Sequence, residues 1–166
     1  MFVNFESLAN SSKVWIYQSN REFSSHEGEI IKDKIESFVA NWNRHGDDLN
    51  ASYKIVYNQF IVLAVDEDSE GISGCSIDSS VNLIKQLEKE FDIDLTNRLN
   101  ISFKDGETIN VVNMGDFQKY VQQGKVTAET IVFNNMVTTK GDFESNWEVS
   151  VANSWHKRYL ATKASS

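Results

Sequence analysis

The groups in this sequence most able to do chemistry lie between Asp66 and Asp78 and around its few histidines. Cys75 is the only cysteine. It follows the small-residue loop Gly71-Ile72-Ser73-Gly74 and precedes Ser76-Ile77-Asp78, a helix entrance by pattern. Free amides and the helix dipole at such an entrance lower a thiol pKa, and a thiolate with an imidazole beside it is a nucleophile. His45 and His156 are the candidate partners for a thiol-dependent enzyme or a redox-responsive protein. The plainer reading is a small residue buried in a tight loop, because free cysteine is among the most buried residue types. Trp155, next to His156, could line a ligand pocket, as could Ser76 and Asp78 at the helix entrance. Alternatively, such a tryptophan pins a terminal segment onto the core.

Asp66-Glu67-Asp68-Ser69-Glu70-Gly71 has acids at positions one, three and five and glycine at six, like the first half of a calcium loop. Asp66, Asp68 and Asp78 are therefore the candidate metal ligands. The second half departs from that pattern: position twelve is Ile77 instead of a bidentate glutamate, and Asp78 falls one place late. A strand, moreover, precedes the loop where the motif needs a helix. His45-Gly46-Asp47-Asp48 could also offer imidazole and carboxylate to an ion, although histidine in a last helical turn more simply complements the dipole. No complete catalytic constellation is present, and the sequence calls for no cofactor.

Net charge and motifs narrow the classes further. With 16 basic and 24 acidic residues the chain carries −8, which repels a phosphate backbone and argues against nucleic-acid binding. Gly124-Lys125 has Lys119 where a phosphate loop needs glycine and Val126 where it needs Ser or Thr. One cysteine forms no internal disulfide, and no Cys/His spacing suits structural zinc. The first residues lack a basic stretch followed by an apolar one, and the longest apolar run, Phe60–Val65, is six residues. The expectation is a cytoplasmic protein without membrane insertion.

The elements that must position these groups follow from periodicity. Lys13–Gln18 is β-branched and aromatic, and Ser52–Tyr57 alternates, so both are expected strands. Phe60–Val65 is apolar throughout, as in a central strand covered on both faces. Ser24-Ser25-His26-Glu27 fits a capping box, followed by Ile31, Ile35, Phe38, Val39 and Trp42 at helical spacing. Arg44-His45-Gly46 is expected to close that helix. A second helix is expected from Ile77 through Phe91, with Ser76 or Asp78 as N-cap. Leu99–Lys104 and Glu107–Val112 flank Asp105-Gly106, a hairpin signal. Beyond them a short helix is stopped by Gly124, Thr130–Phe133 is a strand, and Thr138–Asn153 is polar without periodicity.

The whole is an α+β class: a mostly antiparallel sheet, two main helices and a small irregular C-terminal lobe. One domain of 1–166 is expected, with the lobe at 113–160 and a disordered tail at 161–166.

Val14-Trp15-Ile16-Tyr17, the run Tyr57–Asp66, Ser73-Gly74-Cys75-Ser76-Ile77-Asp78, Thr130-Ile131-Val132-Phe133-Asn134-Asn135 and Ser154-Trp155-His156 carry a resemblance. In these stretches the chain looks like a family of short bacterial proteins of unknown function that often bear the label ABC transporter ATPase. The residues do not support that label, because the phosphate loop and the L-S-G-G-Q signature are missing. The resemblance implies no site residues. The last third, through Phe117, Val121-Gln122-Gln123-Gly124-Lys125-Val126, Thr130-Ile131-Val132-Phe133 and Trp147, is similar to small GYF-type adaptor domains. The leading expectation is a non-catalytic protein that binds a protein or small-molecule partner.

Overall fold

In the computed structural model, residues 1–44, 47–66 and 74–160 are described. They form an α+β protein in which every ladder between strands is antiparallel. The chain divides into two compact units, Met1–Thr96 with Thr138–Gly141 and Asn97–Val137 with Asp142–Ser166.

The first unit contains β1 (Lys13–Gln18), α1 (Ser25–Asn41), β2 (Asn43–Arg44), β3 (Asp47–Asp48), β4 (Ala51–Val56), β5 (Phe60–Val65) and α2 (Gly74–Phe91). Its main sheet runs β1-β5-β4, so the all-apolar strand is central, and all six of its residues are buried. Ile61, Leu63 and Val65 share a core with Ile31, Ile35 and Val39 of α1 and Ile84 and Leu87 of α2. The β4–β5 turn places Tyr57 and Asn58 at φ 56° and 51°, the backbone twist that joins two right-twisted strands tightly. The segment Thr138–Gly141 returns to β1, where Val14 N–H donates to the Thr138 carbonyl at 3.0 Å. Lys140, which is buried, donates from Nζ to the carbonyls of Leu8 (2.8 Å) and Glu6 (3.2 Å).

The capping box forms as read: Ser24 Oγ accepts from Glu27 N–H, and the Glu27 carboxylate accepts from Ser24 N–H. Arg21 makes a fork to the same carboxylate, two bonds of 2.8 Å, and a third to the Phe91 carbonyl at the end of α2. Those bonds hold the Glu27 carboxyl down to about 2, the Arg21 contact foremost. We expect Ser24→Ala to cost about 1 kcal/mol, measured as a shift in the urea midpoint at constant slope. A change under about 0.3 kcal/mol would mean that Arg21 alone holds the helix start.

Two helix boundaries differ from the pattern. The first helix ends at Asn41, before Arg44-His45-Gly46, and Trp42 is extended (φ −69°, ψ 126°). Trp42 is buried against Trp15 (6.0 Å) and Phe38 (5.0 Å). Burying an indole is worth more than a glycine cap, so packing sets the helix end. The second helix starts at Gly74, so neither Ser76 nor Asp78 caps it. Several Ser and Asp in succession are equivalent as local cap signals, and that redundancy leaves the start undetermined by sequence.

The second unit contains β6 (Asn100–Asp105), β7 (Thr108–Asn113), α3 (Met114–Gln122), β8 (Ile131–Phe133) and β9 (Glu148–Ser150), with α4 (Lys140–Asn146) opening in the returning segment. Its sheet runs β7-β6-β8-β9. The hairpin turn is Gly106-Glu107, one place later than Asp105-Gly106, because Asp105 pairs with Thr108. Gly106 takes φ 62° at the first central position, where a II′ turn wants glycine. Gly124 (φ 77°) ends α3 as expected: its N–H reaches Val121 O and Lys125 N–H reaches Tyr120 O, closing the last turn. Thr138–Asn153, which shows no periodicity, holds α4 and β9. Phe117 and Val121 of α3 pack with Ile101, Phe103, Val132 and Val151 as the core of this unit.

Candidate functional site

The first unit carries a cleft of about 470 Å³ beside the outer edge of β4. Two local features build it. Val3 N–H donates to the Ala51 carbonyl (2.9 Å) and Ala51 N–H to the Met1 carbonyl (3.0 Å), so Phe2 lies as a one-residue parallel bridge on β4. The Asn4 side chain then accepts from Glu6 N–H (3.1 Å) and caps a single 3-10 turn, Phe5–Ser7, which carries the chain off the strand.

The cleft walls combine rings and charges. The exposed Phe2 ring lies 5.5 Å from that of Tyr53. Lys54 Nζ sits 3.1 Å from the Glu6 carboxylate and 4.7 Å above the Phe5 ring. That ion pair lowers the Glu6 pKa. Tyr53 donates its hydroxyl to Glu36 of α1 (3.1 Å), and burial with the neighbouring carboxylate pushes its pKa up to about 12. Aromatic faces, a carboxylate and strand backbone suit binding of a partner more than bond-breaking. Among the described residues, none that lines the cleft is a histidine or cysteine.

The residues singled out from sequence fall elsewhere. His45 and Asp68 lie outside the described residues. Cys75 and Ser76 belong to the first turn of α2, in place of a preceding loop, and the backbone of each is described. Asp66 follows β5 and is half-buried, while Asp78 is exposed on α2. Among the described residues, no group of three or more His, Cys, Asp or Glu side chains is placed to hold a metal ion.

His156 is in the second unit, and Cys75 is in the first. It is 1% exposed, with Nδ1 2.7 Å from Ser154 Oγ and its ring stacked on Trp155 at 3.9 Å. Phe117 packs on it at 5.7 Å. Burial, with the Arg158 charge adding to it, pushes its pKa down to about 4. It is thus a neutral core imidazole in the second unit. Trp155 Nε1 is buried without a hydrogen-bond partner among the described residues, and Arg158 stacks over the Trp155 ring at 5.0 Å.

Sequence reasoning missed the cleft because its two halves are about fifty positions apart. The signal available was a pair of aromatics, Phe2 and Phe5, in a segment without strand or helix periodicity. No helix among the described residues is long and apolar enough to cross a membrane. No protein-family model, curated protein or solved structure matches the chain.

Proposed function

We propose that this chain is a cytoplasmic, non-catalytic binding protein that takes a protein or small-molecule partner in the cleft beside β4. The observation that carries the reading is the cleft itself, which joins the exposed Phe2 ring, the Phe5–Lys54–Glu6 cluster and a strand edge in one place. Exposed aromatics over a pocket are the usual anchors of binding energy.

The test is an NMR titration of the whole protein with fragment and peptide mixtures. Hits should move the amides of Phe2, Glu6, Tyr53 and Lys54, and Phe2→Ala should weaken them roughly tenfold. Hits confined to Cys75 or His156 would overturn this reading. The rival, thiol chemistry at Cys75 with His45 or His156, draws on the position of Cys75 in the first turn of α2. It requires a thiol pKa well below the free value of about 8.5 in a titration with a thiol reagent.

A further inference from the structure

The main sheet of the first unit ends on β4, and the direction of its backbone groups can be read residue by residue. Asp66 N–H donates to the Asn50 carbonyl at 2.9 Å, so Asn50 faces β5. Ala51 faces the other way, exchanging bonds with Met1 and Val3. Strand groups alternate, so Tyr53 and Ile55 also point away from β5. Among the described residues, no backbone group meets the outward N–H and C=O of either one. The Met1–Val3 segment pairs with this edge at Ala51 alone; after the cap at Asn4 the Phe5–Ser7 turn stays beside β4 through the side chain of Lys54, without backbone pairing to Tyr53 or Ile55.

We infer that the outer edge of β4 accepts an extended, basic segment of a partner protein as a fourth strand of this sheet. The inference rests on the partner-binding reading and names the class of partner. Sheet edges are commonly guarded by a free lysine, a proline or a bulge. Here Lys54 is already engaged by Glu6 and laid over Phe5, and β4 pairs with β5 without a break from Ala51 to Val56.

The charges around the edge select the occupant. Residues of an added strand that share the Tyr53 face meet Glu36, which accepts the Tyr53 hydroxyl, with Asp33 in electrostatic reach of the same group. Those on the Lys54 face meet Glu6, whose side chain is 65% exposed. Among the described residues, three carboxylates, Glu6, Glu36 and Asp33, thus outnumber the two lysines beside them, Lys54 and Lys140, which favours Lys or Arg interspersed with apolar residues. A net charge of −8 repels a second copy of the chain.

The probe is a blocked peptide alternating lysine and valine, added to the whole protein, with amide hydrogen exchange read at Tyr53 and Ile55. The expected result is exchange slowed roughly tenfold or more at both amides. A matching peptide of glutamate and valine should leave them unchanged. Ile55→Pro removes an outward donor while sparing the ladder to β5, and should abolish the protection read at the Tyr53 amide. The double variant Glu6→Lys, Glu36→Lys keeps every backbone group and should weaken binding roughly tenfold.

Shifts at Phe2 and Lys54 without protection at Tyr53 and Ile55 would overturn strand addition and leave partner binding standing. Equal protection by the acidic peptide would overturn the basic class of partner. Protection that appears without peptide and grows with protein concentration would assign the edge to a second copy, against the inference. No response anywhere would overturn both readings.

Discussion

A Phe117→Ala variant should lose about 3–5 kcal/mol of stability in urea unfolding. Phe117 is fully buried on α3, with Phe103 at 6.0 Å, Tyr159 at 5.2 Å and His156 at 5.7 Å around its ring. Two of those contacts are edge-on, the geometry in which ring quadrupoles attract. Removing the ring forfeits its transfer free energy and leaves a void between α3, β6 and the terminal turn, and the rings around it cannot collapse to fill that space. Exchange of the Phe103 and Val132 amides reports on this core directly, because those residues pair across β6 and β8. A loss below about 1 kcal/mol would show that the ring cluster rearranges freely and that Phe117 does not organise it.

Acidification should destabilise the second unit through His156, by up to about 3 kcal/mol between pH 6.5 and pH 4. The sign follows from the direction of the shift. The folded pKa is pushed down to about 4 by burial and then by the Arg158 charge, while the unfolded histidine titrates near 6.5. Between those values the unfolded chain binds a proton that the folded chain refuses, so stability rises with pH. The contribution is fully present above 6.5 and is lost as pH falls to 4. His156→Gln should remove that slope whatever it does to stability at pH 7. Carboxylates add their own dependence at lower pH, so the quantity to read is the difference in slope between the two proteins. An NMR titration placing His156 near 6.5, or parallel slopes in both proteins, would refute the assignment of a neutral buried imidazole.

The buried position of His156 also bears on the chemistry suggested by its sequence. Next to Trp155 and near the end of the chain, it could have faced solvent, an ion or a thiol. Its ring instead stacks on Trp155, has the tilted Phe117 ring packed against it and bonds to Ser154. A histidine this deep is held in one protonation state by desolvation, which suits a packing role. The groups at the β4 edge, by contrast, reach solvent.

Local chemistry made some of this protein legible in advance. Lys13–Gln18 and Phe60–Val65 form strands with the bounds their composition suggests, and the apolar run is central because only a doubly covered strand can bury every residue. Ser24 and Glu27 cap α1 because the capping box is satisfied within four residues. Antiparallel pairing and the α+β class follow from the same short-range signals. Each of these features is decided by residues that are neighbours in sequence.

Tertiary structure alone decided the rest. The end of α1 is set by where Trp42 finds Trp15, and the burial of His156 by Phe117 from another element. The cleft exists because Met1–Val3 meets β4 at Ala51, a pairing with no sequence signature. The physical reason is the same throughout. Propensity and capping act over a few residues and are worth about 1 kcal/mol, whereas burial of large side chains acts between distant segments and is worth several. Where the two compete, burial prevails, and the binding edge lies where distant segments happen to meet.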